Sequence, residues 1–520
     1  MNSAESSRLH LVFLLLMVLL ARVPDLFYHY QDWDEAAMMS QAWAMTRGQV
    51  LYRDTFQIHP VLNFAIFYPF FALLPADAAA HAVKGFNLVL AAAAVLGVYT
   101  LGRRWTGDAR ASLLAGAMVA HYLGRRWGLS SYGEFYLLLP IVASVWLLFF
   151  RPRRSRLSLL CVGAFWAMAF FIKQVAIFDA AGLVLGYLWL DADPPARKAR
   201  AAGWIALGAM LAGAAVAIML ARNGILSIAL RETLLGPAAH YAQPVGAGAA
   251  LLARIAALAG RAASGLAQAI RVLPIPFMAA ALAVPAVLWA ARRGKAPRWI
   301  ESGTQQSASG RELAGILAVW LGVDLLGLLV VAKFYPHYLV QILPPLCLLA
   351  ACPIARLRNP AKTALAAISL LTLLGGSGFV FAKTLIQDRG EPARVRQSRD
   401  IAARVGRMSG PEDRIFLYRF RGLDVFYLAG RLSSNGIYMF IDMFPEHIKD
   451  ERAAADRQRM LFEQPPRLIV TDPGGLLLGC DSAEPLFRRL LSERYCLRER
   501  RGPIEIHELC KPAYSMRSVP

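Results

Sequence analysis

Asp32, Asp34 and Glu35 place three carboxylates within four residues, directly after the first apolar run of the chain. Ionised groups cost several kcal/mol in hydrocarbon unless paired or wet, so this cluster belongs at a water interface. A carboxylate held there suits a general base, which takes a proton from an attacking hydroxyl. Asp34 is also placed to cap a helix running on from Glu35. Cationic and imidazole groups recur further on. His59-Pro60 presents a histidine on extended backbone. Glu134 stands at the mouth of an apolar segment, and Lys173-Gln174 interrupts an otherwise apolar hairpin. His337-Tyr338, with Gln341 one turn later, forms a further polar lip. Lysine and histidine suit a phosphate. The residues alone therefore describe a phosphate-linked amphiphile met by an activated nucleophile.

The elements that must position these groups are membrane spans. Of the 520 residues 57% are hydrophobic and only 18% charged, with a mean hydropathy of +0.44. Soluble domains carry roughly 25% charged residues. Runs of the length a span needs, about 20 residues, fall near 9–27, 82–101, 111–124, 135–150, 157–172, 175–190, 201–221, 270–291, 312–332, 338–355 and 363–382. This predicts a polytopic α-helical membrane protein of about 11 spans. The net charge of +21 resides in arginine clusters between the apolar runs, such as Arg103-Arg104 and Arg292-Arg293. That is the positive-inside pattern of cytoplasmic loops. Dispersed charge makes no phosphate-tracking surface, which argues against nucleic acid as a partner. With the N-terminus inside, the arginine loops are cytoplasmic, and the same count puts Asp34, His59, Glu134, Lys173 and His337 together on the outer side. The first apolar run lacks a small-x-small cleavage site and reads as an uncleaved span. Asp179 and Asp324 fall inside spans, where pairing within the bundle is expected.

The membrane part, 1–382, contains an outer loop at 28–80 that is too long for a connector. Its aromatic stretch 61–70, with Pro69 and Pro75, reads as amphipathic helices lying in the interface, as does segment 248–270. From 383 to 520 charges become frequent and strand-like runs (414–418, 436–440, 467–471) alternate with helical patterns at 447–462 and 483–495. This predicts a small extracytoplasmic α/β domain. Cys161, Cys347 and Cys352 lie in apolar segments, whereas two of Cys480, Cys496 and Cys510 could pair in an oxidising compartment. No Cys/His metal spacing occurs. The glycines of Gly375-Gly376-Ser377-Gly378 read as helix-packing positions.

The order of these motifs resembles the GT-C superfamily of membrane glycosyltransferases, in particular glycosyltransferase family 39. That family includes protein O-mannosyltransferases and the aminoarabinose and galacturonosyl transferases of the bacterial envelope. Asp34-Glu35 matches the acidic pair of its first outer loop, followed by Gly48-x-x-Leu51-Tyr52-x-Asp54. His59-Pro60-Val61-Leu62 is similar to its Lys/His-Pro-Pro element, with Val61 in place of the second proline. Phe171-x-Lys173-Gln174 and His337-Tyr338-x-x-Gln341-x-x-Pro344 resemble its middle and late elements. Asp424-x-x-Tyr427-x-x-Gly430-Arg431 and the stretch 466–470 resemble its outer domain. The resemblance implies inverting transfer of a sugar from a polyprenyl-phosphate donor to a lipid, glycan or protein acceptor at the outer face of the bacterial inner membrane. Asp34 would be the base and Glu35 its positioning partner. His59, Glu134, Lys173, Gln174, His337 and Tyr338 would bind substrate, with the lipid phosphate near Lys173, His59 and Tyr338. No cofactor is expected, and a divalent ion between Asp34 and Glu134 is disfavoured. A non-enzymatic transporter or flippase is the competing class; transporters commonly show internal repeats, and this chain shows none. A membrane anchor for a binding module leaves the acidic loop without a purpose.

Overall fold

The computed structural model describes residues 3–150, 155–191, 193–235, 251–274, 276–277, 310–331, 335–356, 359–388, 392–439, 451–474 and 484–510. Each apolar segment predicted above lands on a helix, except 270–291, most of which lies outside the described residues. Among the described residues four helical stretches are long and apolar enough to cross a membrane: Ser7–Phe27, Ala76–Thr106, Pro195–Arg222 and Ala366–Lys383. Shorter apolar helices pack among them, including Arg156–Ile172, Ala176–Leu190 and Leu343–Cys352. The helix Ala76–Thr106 has 31 residues. At about 1.5 Å per residue it is roughly 46 Å long, well beyond a hydrocarbon core of about 30 Å. Its first turns therefore carry Asp77, His81 and Lys84 as a platform for the outer loop.

Small residues set the closest helix contacts. A Cβ on Gly163 of helix Arg156–Ile172 would collide with the Ile205 carbonyl, and one on Gly208 of helix Pro195–Arg222 with the Leu160 carbonyl. The two backbones touch there, as apolar helices do where lipid gives no hydrophobic drive. Helix Ala176–Leu190 meets helix Gly310–Val331 in the same way at Gly182, 2.8 Å by a built Cβ from Trp320 Cα. At this contact Trp320 donates to Asp179 at 2.9 Å, and Gln341 to Asp324 at 3.4 Å. The two intramembrane acids are thus paired within the bundle, as expected. Of the glycines in the last long helix, Gly376 packs on His121, whereas Gly375 and Gly378 meet nothing within 4 Å.

The stretch 61–70 is split, as read, into short helices: Leu62–Ala65 and then Tyr68–Leu73, with Pro69 in the first turn of the second and Pro75 capping the long helix after it. Proline is tolerated there because the first-turn N–H has no intrahelical partner. The predicted interfacial segment 248–270 is a helix, Leu251–Val272.

After Asp388 the chain enters helix Ala393–Met408 and then a four-stranded sheet in the order β1-β2-β4-β3. Here β1 is Ile415–Tyr418, β2 is Leu468–Thr471, β3 is Tyr495–Arg501 and β4 is Ile504–Leu509. The pair β1/β2 is parallel, and β4 runs antiparallel to both β2 and β3. Of segment 436–440, read as a strand, residues 436–439 form none, and Phe440 lies outside the described residues. Gly436 takes φ +68° and folds against the outer loop instead. A Cβ on Gly436 would strike the Asp54 carbonyl, and its own carbonyl accepts from Phe56 N at 3.2 Å. Tyr438 donates to Gln49 at 2.7 Å, and Ser40 to the Leu423 carbonyl at 2.7 Å. The C-terminal region is therefore seated directly on the acidic loop. A disulfide joins Cys496 to Cys510; Cys480 lies outside the described residues.

Candidate active site

The acidic cluster divides into three roles. Asp32, not Asp34, is the N-cap of helix Trp33–Thr46, and its side chain accepts from Asp34 N at 3.1 Å. The cap lies two residues earlier than the sequence reading puts it, because Trp33 and Asp34 already take helical backbone. Asp34 is left half-buried in the first helical turn, where the positive end of the helix dipole favours a carboxylate.

Glu35 faces inward and is fully buried. It accepts from Gln31 N at 2.6 Å, from Lys84 Nζ at 2.6 Å, from Ser131 N at 3.0 Å and from the Ser131 hydroxyl. Lys84 also faces Asp25 at 3.1 Å, and Asp25 faces Arg22 at 3.5 Å. Arg22 in turn donates to the carbonyls of Leu123, Gly128 and Leu129. Two acids and two bases with almost no exposure thus tie the acidic loop to the first helix, the long helix Ala76–Thr106 and the 123–131 turn. Buried charges persist only when paired and hydrogen-bonded, and each of these four has such a partner.

The 130–134 turn that Glu35 holds carries the next groups. Tyr132 is buried and hydrogen-bonded to Asp32. Burial, followed by the Asp34 and Asp32 carboxylates, pushes its phenol well above the usual range, so it stays a neutral donor. Its ring stacks on His337 with centroids 4.1 Å apart. Burial pushes the His337 imidazole down to about 4, against Glu134 and with Lys173 adding to the drop. His337 is therefore neutral at neutral pH. Glu134 is fully buried and neither carboxylate oxygen receives a hydrogen bond among the described residues. Its counter-ion is Lys173, with Nζ at 3.3 Å. Lys173 ends helix Arg156–Ile172, and its Nζ also lies 5.5 Å from the centre of the Tyr338 ring. A Cβ on Gly133 would lie 3.0 Å from the Lys173 side chain, so a glycine lets lysine and turn approach.

Asp34, Glu134, Lys173, His337 and Tyr338 are thus linked through Tyr132 and the ion pair into one cluster. Gln174 serves differently. It donates to the carbonyls of Ile58 at 3.0 Å and Thr233 at 2.7 Å, which anchors the His59 loop beside Lys173. The His59 carbonyl accepts from Tyr52 at 2.8 Å, and Tyr52 holds an unusual φ of +68°. Sequence reasoning missed Tyr132, Lys84 and Ser131. Lys84 carried a signal, since it is a lysine inside a predicted span. Tyr132 carried none beyond its place beside Gly133-Glu134.

No family model and no curated protein sequence matches the chain. Solved structures do. ArnT from Cupriavidus metallidurans, bound to undecaprenyl phosphate, superposes with a TM-score of 0.60 at 12% identity, over 95% of this chain and 97% of that one. The archaeal oligosaccharyltransferase AglB from Archaeoglobus fulgidus, in complex with an inhibitory peptide and a dolichol-phosphate, superposes with a TM-score of 0.51 at 13% identity, over 90% of this chain and 69% of that one. The helical bundle with its seated C-terminal sheet is accordingly the GT-C fold, the architecture that ArnT and AglB share.

Proposed function

We propose that this chain is a membrane glycosyltransferase that moves a sugar from a polyprenyl-phosphate donor to a hydroxyl on an envelope lipid, glycan or protein. The observation that carries the reading is a half-buried carboxylate, Asp34, in one cluster with a buried lysine whose only ion-pair partner among the described residues is Glu134. The two lipid-phosphate complexes with the same fold support the donor class.

In the proposed step Asp34 takes the acceptor O–H proton as the oxygen attacks the sugar C1. The new O–C1 bond forms opposite the phosphate, the C1–O bond to phosphate breaks, and its electron pair leaves on the polyprenyl phosphate. One displacement inverts the anomeric centre. Lys173, Tyr338 and His59 accompany the leaving phosphate, as charge-assisted hydrogen bonds do best where water is excluded. Tyr132 and neutral His337 form a wall that keeps Asp34 in register. Glu35 positions Asp34 through the helix that both residues share. We assign no metal to the step; Lys173, paired with Glu134, is the cationic group we assign to the leaving phosphate. The catalytic region would be 1–382, with 28–80 as its loop and 383–520 as an outer domain. A Cys496–Cys510 disulfide suits an oxidising compartment, so the active site and that domain would face outward from the bacterial inner membrane.

Two experiments test the reading. A reporter active only outside the cytoplasm should be active when fused after Asp388 and silent when fused within 292–298. The reverse pattern puts the acids on the wrong side for this donor. Lys173→Ala should lower donor turnover by roughly tenfold or more, since a charged hydrogen bond is worth about 1.5–3 kcal/mol. Lys173→Arg should retain more of it. Near-normal turnover for both would leave Lys173 as a structural partner of Glu134 alone.

A further inference from the structure

His29, Asp77 and His81 form a separate cluster, remote in role from the residues placed in the transfer step. His29 comes from the acidic loop, and Asp77 and His81 lie one turn apart on helix Ala76–Thr106. One donor atom from each lies within 4.8 Å of the other two. His29 is fully buried, with Nδ1 3.2 Å from Asp424 Oδ2 and Nε2 2.8 Å from Asp77 Oδ1. His81 Nδ1 lies 3.0 Å from the Asp77 carbonyl oxygen.

The tautomers follow from the partners. A backbone carbonyl only accepts, as does an ionised carboxylate. Nδ1 of each imidazole must therefore donate, to Asp424 for His29 and to the Asp77 carbonyl for His81. A histidine whose Nδ1–H is held by a carboxylate or a carbonyl is the usual outer-shell arrangement of a metal ligand. His29 Nε2 also faces a carboxylate, Asp77 Oδ1 at 2.8 Å, so an ion bound here takes the place of the proton between them. The rings of His29 and His81 stand 5.1 Å apart and nearly perpendicular, so they do not fill the space between them by stacking.

We propose that His29, Asp77 and His81 bind a zinc-type divalent ion, with Asp424 as the carboxylate that orients His29. Two imidazoles, one carboxylate and a water complete a tetrahedral set. Ligand distances of about 2.0–2.2 Å set tetrahedral donors roughly 3.3–3.6 Å apart, so His29 Nε2 and Asp77 Oδ1 separate slightly from 2.8 Å, and His81, which is only half-buried, can adjust to complete the set. One guanidinium nitrogen of Arg399 now lies 2.8 and 3.0 Å from the Asp77 oxygens and 3.3 Å from His29 Nε2. It is the cation at this place in the structure. Its side chain is 42% exposed and that of Asp77 51%, so the arginine can withdraw to water along the path by which an ion enters. The ion would clip the acidic loop and the long helix to the C-terminal region, which supplies Asp424. This inference does not depend on the transfer chemistry.

The test is metal content and thermal stability of the full-length protein in detergent, after loading with zinc sulfate and removal of free metal. About one zinc per chain is expected, with a higher melting temperature than the chelator-treated protein. His81→Ala, on the more open edge of the cluster, should lose the ion, and Asp424→Asn should weaken its binding about 10- to 100-fold. Arg399→Ala should keep the ion. Wild-type protein with no zinc above background, or His81→Ala retaining as much as wild type, overturns the proposal and leaves Arg399 as the resident cation.

Discussion

Asp34→Asn is expected to give a well-folded, membrane-inserted protein that transfers almost no sugar. An alcohol is a poor nucleophile at neutral pH, and a positioned general base is worth typically about 10²–10⁴-fold. Asparagine keeps the size of the side chain and cannot take the proton. The structure makes this substitution cleaner than the sequence suggested, because the helix cap is Asp32 and not Asp34. Asp34→Asn therefore leaves the cap intact. Asp32→Asn is the matching control: an asparagine oxygen still accepts from Asp34 N, so capping survives and turnover should fall least. The measurement is single-turnover transfer by reconstituted protein supplied with a pool of polyprenyl-phosphate sugars. Wild-type-like turnover for Asp34→Asn would end the general-base assignment. Retained lipid movement with no transfer in the wild type would favour the flippase class instead.

The second large effect falls on stability. Lys84→Met should cost about 3–5 kcal/mol, because removing one partner of a buried pair strands the other charge. Glu35 would keep its Ser131 and Gln31 donors and lose its only counter-ion contact among the described residues. Glu35→Gln should destabilise for the mirror-image reason, leaving Lys84 with Asp25 alone. The double variant Glu35→Gln/Lys84→Met restores charge balance and should be more stable than the sum of the singles predicts. Thermal melting of all four proteins completes the cycle. A strictly additive result, or a Lys84→Met protein as stable as wild type, would remove the ion pair from its place as the anchor of the acidic loop. If the anchor also positions Asp34, the double variant should regain stability further than turnover, since methionine makes no hydrogen bond to the side chain at position 35.

The spans were legible because each is a long apolar run, and apolar length is a local property of sequence. The mouth residues were legible for the same reason: Lys173 and His337 stand out against apolar neighbours. Their grouping followed from counting spans. What escaped was pairing over distance. Glu35 meets Lys84 and Ser131, 49 and 96 residues away, and no spacing rule links them. Tyr132 acquires its place by stacking on His337, some two hundred residues further along. The strands β3 and β4 were missed because Arg498, Glu499, Arg500, Arg501, Glu505 and Glu508 give them the look of a charged loop. Cross-strand pairs such as Arg498 with Glu508 and Arg500 with Glu505 make that charge compatible with a solvent-facing ladder. Segment 436–440 erred in the opposite sense. Its apolar alternation is genuine, but the residues pack on the acidic loop instead of on a neighbouring strand.

That last contact limits how such proteins can be recombined. Gly436 lies so close to Asp54 that a residue with any side chain there would push the acidic loop away from the spans. Tyr438, Leu423 and Arg394 reach Gln49, Ser40 and Gln31 of the same loop. A chimera that takes its C-terminal region from one relative and its spans from another joins two surfaces selected separately, across the very stretch that carries Asp34. The C-terminal region is thus not a detachable module: a graft must bring the loop and the region seated on it together.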